Sequence, residues 1–131
     1  MLLDNNVLVE ALEKGNKGAL RLIKKSDAYI TPHQLDEFMY SGIRNQAQRA
    51  RFLKRHRIKE LYDPDFALRQ DFLDIVQRGV SQHGFADMAL LGYSRASGIT
   101  AYTIEKGAFN FGTLSLPPRL RVNMAKIPSA R

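Results

Sequence analysis

The spacing of apolar and polar positions along this chain switches repeatedly between short β-like runs and longer helical stretches. The pattern opens with a short strand around Leu2 to Asp4. Asn6 to Lys14 then reads as a helix, with Asn6 a fitting N-cap and Gly15 a fitting stop. Gly18 to Lys24 reads as a second short helix, and "AYITP" as a strand from Ala28 to Thr31. The stretch "TPHQLDEFM" is a strong helix start. Thr31 caps it, Pro32 takes the first helical position, and Gln34 completes a capping box.

Residues 42–82 are mostly helical by pattern, broken in two at Asp63-Pro64. The second piece places Phe66, Leu68, Phe72, Leu73, Ile75 and Val76 mainly on one face, which suits either core packing or the pairing of two copies. Gly84 is a turn, and a helix is expected from about Phe85 to Ala96. Its Ala89, Gly92 and Ala96 form a small face that lets a helix lie close to a sheet. Gly98 ends it, "ITAYTI" reads as a strand from Ile99 to Ile104, and a last strand is expected near Leu120 to Met124. Strands alternating with helices give an α/β class with a central, mostly parallel sheet flanked by helices. A chain of 131 residues without repeats or linkers suits one domain spanning 1–131.

Composition narrows the function classes. With no cysteine, a disulfide framework and a thiolate zinc site are excluded, which fits a reducing compartment. No apolar run is long enough for a membrane span, and no basic segment precedes Leu2 and Leu3, so neither a span nor a signal peptide is expected. A surplus of 20 Lys and Arg over 13 Asp and Glu, net +7, favours a polyanionic partner such as nucleic acid. Much of the surplus is local. Arg44, Arg49, Arg51, Lys54, Arg55, Arg57 and Lys59 follow one another with no acid among them. Arg44, Arg51 and Arg55 fall near one helical stripe, with Phe52 and Leu53 on an apolar side. This arm suits a grip on backbone phosphates or a docking surface for an acidic inhibitor, the plainer alternative being a solvated helix face.

Four acids map to element ends. Asp4 ends the first strand, Glu37 lies on the second turn after "AYIT", Asp87 opens the small-faced helix, and Glu105 follows "ITAYTI". Parallel α/β sheets bind ligands beyond the carboxyl ends of their strands, so all four can share one edge. Singly, each acid is better explained as a cap or a solvated residue. Together they repel one another and need a neutralising partner; Lys or Arg could serve, a hard divalent cation would do so more strongly, and an oxygen-only set suits Mg²⁺ or Mn²⁺. A basic protein with such a pocket reads as a metal-dependent nuclease. The histidines, His33, His56 and His83, make no metal spacing with one another; His33, one turn from Glu37, lies nearest the acids. Tyr40 and Tyr93 fit core or rim packing better than base stacking.

In order, "DNNVLV" at Asp4, "ITPHQLDEF" with Glu37, "GFADMALLGYSRASG" with Asp87, and Thr103-Ile104-Glu105 with Phe109 downstream resemble the motifs of a PIN-domain ribonuclease, the fold of VapC-type toxins. The resemblance spans nearly the whole chain. It implies a three-layer PIN-like sandwich and an Mg²⁺- or Mn²⁺-dependent endoribonuclease toxin, neutralised by a cognate antitoxin or immunity protein and acting in the cytoplasm. Asp4, Glu37, Asp87 and Glu105 would be its catalytic metal ligands, with Asn6 and Thr103 in support. Arg44, Arg49, Arg51, Lys54, Arg55 and Arg57 would bind nucleic acid or the inhibitor. Toxins of this type often pair, which makes a homodimer an expectation too. Asn5 departs from the family's small hydroxyl residue, and Glu105 stands where Asp is commoner. Asp36, a quarter-turn from Glu37, is second in line for that role. "LEKGNKGAL", "YITPHQLDEF" and "YTIEKGAFNF" also resemble PIN-like modules at the C-termini of polymorphic toxins, which implies delivery from another cell. The rival readings are a nuclease acting on DNA and a non-catalytic nucleic-acid-binding module.

Overall fold

In the computed structural model, which describes residues 1–129, Leu2 and Leu3 form strand β1 (Leu2–Leu3), and both are fully buried. Successive strand residues face opposite sides of a sheet, and these two belong to different cores. Leu3 packs with Val7, Leu8, Ile23, Phe38 and Phe52, whereas Leu2 packs with Phe72, Ala89, Leu90 and Tyr93. The first core is built by α1 (Asn5–Glu13), α2 (Lys17–Lys25), α3 (Pro32–Ser41) and α4 (Gln46–Arg55). The second is built by α6 (Gln70–His83) and α7 (Phe85–Ser97), with the short α5 (Pro64–Ala67) beside them. A third cluster joins Ile75, Met88 and Leu91 to Phe111, Leu116, Leu120 and Val122 after α8 (Lys106–Asn110).

The result is a three-layer α/β sandwich. Its sheet is wholly parallel among the described residues, in the order β3-β2-β1-β4-β5, with β2 (Tyr29–Ile30), β3 (Lys59–Glu60), β4 (Ala101–Thr103) and β5 (Met124–Lys126). From β1 the chain builds outward to β3 on one side, then returns to add β4 and β5 on the other. The order therefore reverses between β1 and β4, the kind of point beyond whose strand ends parallel α/β sheets bind ligands.

Several expected boundaries shift for identifiable reasons. Helix α1 starts at Asn5 with Asp4 as its N-cap, so Asn6 lies inside the helix; Gly15, at φ 62°, follows its end as expected. Thr31 caps α3 by accepting from the Gln34 backbone N–H at 3.3 Å, but the Gln34 side chain does not complete a capping box and is used elsewhere. Within 42–82 the pattern hid β3, an edge strand of two exposed charged residues with no apolar alternation to reveal it. The stretch 66–76 is broken again before Gln70. Phe72 and Ile75 are buried, while Leu68 (77% exposed) and Leu73 (47% exposed) lie open, so the expected single apolar face is divided. The last strand is Met124–Lys126, after a 3-10 turn at Pro118–Leu120.

The small face of α7 serves two neighbours rather than the sheet alone. Ala89 joins the cluster of Leu2 and Ala101, but a Cβ at Gly92 would fall within 3.0 Å of the Phe72 ring on α6. Gly92→Ala gains up to about 1 kcal/mol of helix propensity, and overpacking of about 1–3 kcal/mol is expected to outweigh it. A lowered urea midpoint is the expected outcome; a raised one would contradict this packing.

Candidate metal centre

Asp4 is placed at the ends of β1 and β4 by the sheet itself. Its N–H donates to the Tyr102 carbonyl at 2.9 Å, extending the β1–β4 ladder by one bond. Although Asp4 is the N-cap of α1, its side chain makes no capping bond. Instead Oδ2 accepts from the Thr103 hydroxyl at 2.8 Å and from Asn6 Nδ2 at 3.2 Å. Asn6 Oδ1 accepts in turn from the Ile104 N–H, and Thr103 Oγ1 from the Glu105 N–H at 3.1 Å. Asn6 and Thr103 thus tie the ends of β1 and β4 together around one buried carboxylate.

Asp87 arrives from the other layer. It lies in the first turn of α7, and Gln34 holds this turn: Nε2 donates to the Ala86 carbonyl at 3.1 Å and to Asp87 Oδ1 at 3.4 Å. Gln34 Oε1 also accepts from the Asn5 N–H at 2.8 Å. One buried amide therefore joins the first turns of α1, α3 and α7. Sequence gave Gln34 only a capping role; its position on α3 one turn before Glu37 was the available signal.

Carboxylate oxygens of Asp4, Asp87 and Glu105 lie within 4.8 Å of one another. Glu37 is outside this trio. It is exposed on α3, and its Oε1 accepts from Asn5 Nδ2 at 2.8 Å. That bond gives Asn5 a physical role, since a shorter hydroxyl side chain there lacks the amide donor's length. Asp36 is also exposed and lines a groove between α3 and α4, away from the trio.

Electrostatics follow from the gathering. Burial first, then the Asp87 carboxylate, pushes the Asp4 carboxyl up to about 7; the Thr103 hydrogen bond opposes this, and Glu105 and Glu37 add to it. Burial, then Glu105, pushes Asp87 up to about 6 against the Gln34 hydrogen bond, with Glu37 adding a smaller push. Desolvated, mutually repelling oxygens with no sulfur or nitrogen donor fit a hard divalent cation. Without one, the native state holds more protons than the unfolded state between about pH 4 and about pH 7, so it loses stability as pH rises through that window. In chelator, Asp4→Asn is therefore expected to gain on the wild type in melting temperature across this range. A difference that stays flat or shrinks would contradict the repulsion.

The basic arm is only partly a surface. Arg44 lies in a 3-10 turn at Ile43–Asn45 before α4, off the expected helical stripe. Arg51, Lys54 and Arg55 line a groove floored by Leu12 and Phe52, and Arg57 is exposed in a left-handed conformation at φ 54°. Arg49 corrects the expectation of a binding role. Its side chain is 5% exposed, with Nη2 at 2.7 Å from Glu13 Oε1 and further bonds to the Phe38 carbonyl and Ser41 Oγ. Gly42 makes room for it, since a Cβ there would overlap the guanidinium.

No family model matches the sequence, and no curated protein matches it. The fold does have a counterpart among solved structures. A chain of the crystal structure of VapBC2 from Rickettsia felis, bound to a DNA fragment from its promoter, superposes with a TM-score of 0.66. It shares 17% identity, over 94% of this chain and 96% of that one. The fold is PIN-like. At that identity the likeness concerns architecture, and it agrees with the resemblance in motif order. In this PIN-like chain the acidic cluster sits where the strand order reverses. No helix among the described residues is long and apolar enough to cross a membrane.

Proposed function

We propose that this chain is a single PIN-like nuclease domain, 1–131, that hydrolyses RNA phosphodiesters with Mg²⁺ or Mn²⁺. The observation that carries the reading is the convergence of Asp4, Asp87 and Glu105 within 4.8 Å of one another, at the point where the strand order reverses. Asp4 and Asp87 would hold the cation, with Glu105 reaching it on a longer and more exposed side chain. Glu37, fastened by Asn5, would join from the rim. When bound, a divalent cation supplies positive charge for the phosphate oxygens and an acidified water as nucleophile. Thr103 and Asn6 fix the Asp4 oxygen, and Gln34 fixes Asp87, so the ligands are preorganised before substrate arrives. Arg51, Lys54, Arg55 and Arg57, with Arg44, would engage phosphates or an acidic inhibitor.

The likeness to a VapBC2 chain supports a toxin restrained by a cognate antitoxin or immunity protein, acting in the cytoplasm and, if delivered, in another cell. The groove of Leu12, Gln48, Arg51, Phe52, Lys54 and Arg55 has the cationic rim and apolar floor that suit an acidic amphipathic segment of such an inhibitor. Leu68 and Leu73 would provide the exposed surface for a homodimer.

Purified protein incubated with RNA or single-stranded DNA, in Mn²⁺ or in chelator, tests the reading. RNA cleavage that chelator stops is expected. Cleavage undiminished in chelator would defeat the metal mechanism, DNA as the preferred substrate would move the activity to that class, and binding without cleavage would leave a non-catalytic module.

A further inference from the structure

Most large apolar side chains near the acids are buried, but Phe85 is 47% exposed. It opens α7, two residues before Asp87, and its ring turns to α3, where it meets His33, one helical turn from Glu37. Gly84, at φ 81°, turns the chain there. The Gln34 side chain pins the next two residues through the Ala86 carbonyl and Asp87 Oδ1. His33, adjacent to Gln34 on α3, packs against the Phe85 ring at 4.7 Å between centroids, with the planes at 72°. Buried His33 Nδ1 has no hydrogen-bond partner among the described residues. The imidazole is thus positioned by the aromatic contact rather than by a polar anchor. Together these residues make a propped, half-open aromatic ring on the same α3–α7 junction that holds a carboxylate of the trio.

An exposed phenyl ring has no hydrogen-bonding function to justify its hydration, and every nucleobase offers it a π-face. A duplex keeps its bases stacked inside, whereas an unpaired nucleotide can lay one on an aromatic side chain. We infer that Phe85 is the stacking platform for an unpaired base beside the phosphate held at the acids, with His33 as its positioning residue. This rests on the nuclease reading and deepens it by assigning one residue to the base next to the held phosphate. Discrimination among bases would be modest, because stacking is sequence-tolerant.

The test uses a short single-stranded RNA carrying 2-aminopurine, whose fluorescence falls when the base stacks, bound to full-length Asp87→Asn protein. Quenching and binding are expected. Adding Phe85→Ala should remove the quenching and weaken binding by about tenfold, the scale of one aromatic–base contact. Phe85→Trp should restore both, and His33→Ala should give an intermediate loss, with melting temperatures reported for each variant. A duplex of the same sequence should bind without quenching. The proposal is overturned if the wild-type ring gives no quenching, if Phe85→Ala retains it, or if Phe85→Trp fails to restore it while folded. It is also overturned if size-exclusion chromatography shows a dimer that Phe85→Ala separates, since a second copy would then cover the ring. Because the readout is binding, quenching that depends on Phe85 would stand even if no RNA were cleaved, and unaltered quenching would fail the proposal even in an active nuclease.

Discussion

Asp87→Asn is expected to lower RNA cleavage by at least about 100-fold, the scale on which removal of one preorganised electrostatic group acts in an enzyme site. The same substitution should leave metal-free stability equal or higher. Folding pushes the Asp87 carboxyl up to about 6, so its ionised form destabilises the native state at neutral pH, and an amide removes that repulsion. The Asn oxygen can still accept from Gln34, and the circular dichroism spectrum should not change. Mn²⁺ should raise the melting temperature of the wild type by binding the native state alone, and this increment should shrink in the variant. Retained cleavage, or an unchanged metal-induced shift, would remove Asp87 from the ligand set. A loss of several kcal/mol of metal-free stability would instead mark it as a structural acid.

The second large effect lies far from the acids. Arg49→Ala removes both contacts to Glu13, the bonds to the Phe38 carbonyl and Ser41, and a guanidinium 4.8 Å from the centre of the Phe38 ring. Breaking a buried pair by deleting one partner costs about 3–5 kcal/mol. Glu13 keeps some solvent access and can rehydrate, which places the expected loss at about 2–4 kcal/mol. Arg49→Lys should recover only part of it, because an ammonium cannot bridge a carboxylate and lie over a ring together. Arg51→Ala and Arg55→Ala, at exposed positions, should stay within about 0.5 kcal/mol of the wild type. Urea denaturation separates the cases, and an Arg49→Ala loss below about 0.5 kcal/mol would return Arg49 to the binding surface.

Arg49 also shows where sequence reasoning stops. In "RNQAQRARFLKRHR" every arginine has the same local chemistry, and partners outside that run, a glutamate 36 positions away together with the Phe38 carbonyl and Ser41, decide which one is buried. The same holds for Gln34, legible as a capping residue, whose side chain was diverted by partners on α1 and α7. Elements with strong local signals were readable: Thr31-Pro32 opened α3 and Gly98 closed α7, because caps and left-handed glycines act within a few residues. Strand β3 was not, since Lys59 and Glu60 pair with β2 without burying any side chain pattern. For the acids, placement at element ends sufficed to group Asp4, Asp87 and Glu105. It could not separate Glu37 from them, because its restraint by Asn5 depends on the geometry of two helix starts.

Strand length has a dynamic consequence. β1 contains two residues and β4 three, and the Asp4 N–H bond to Tyr102 is the next rung of their ladder. Fraying by a single rung therefore reaches the carboxylate cluster, with no length of sheet to buffer it. Local opening and site disassembly become one event, governed by the same free energy. Amide hydrogen exchange should report it directly. Protection of the Asp4 and Ile104 amides should be modest in chelator and should rise together when a divalent ion is added. In this protein the occupancy of the site and the breathing of its central strands would be two measurements of a single equilibrium.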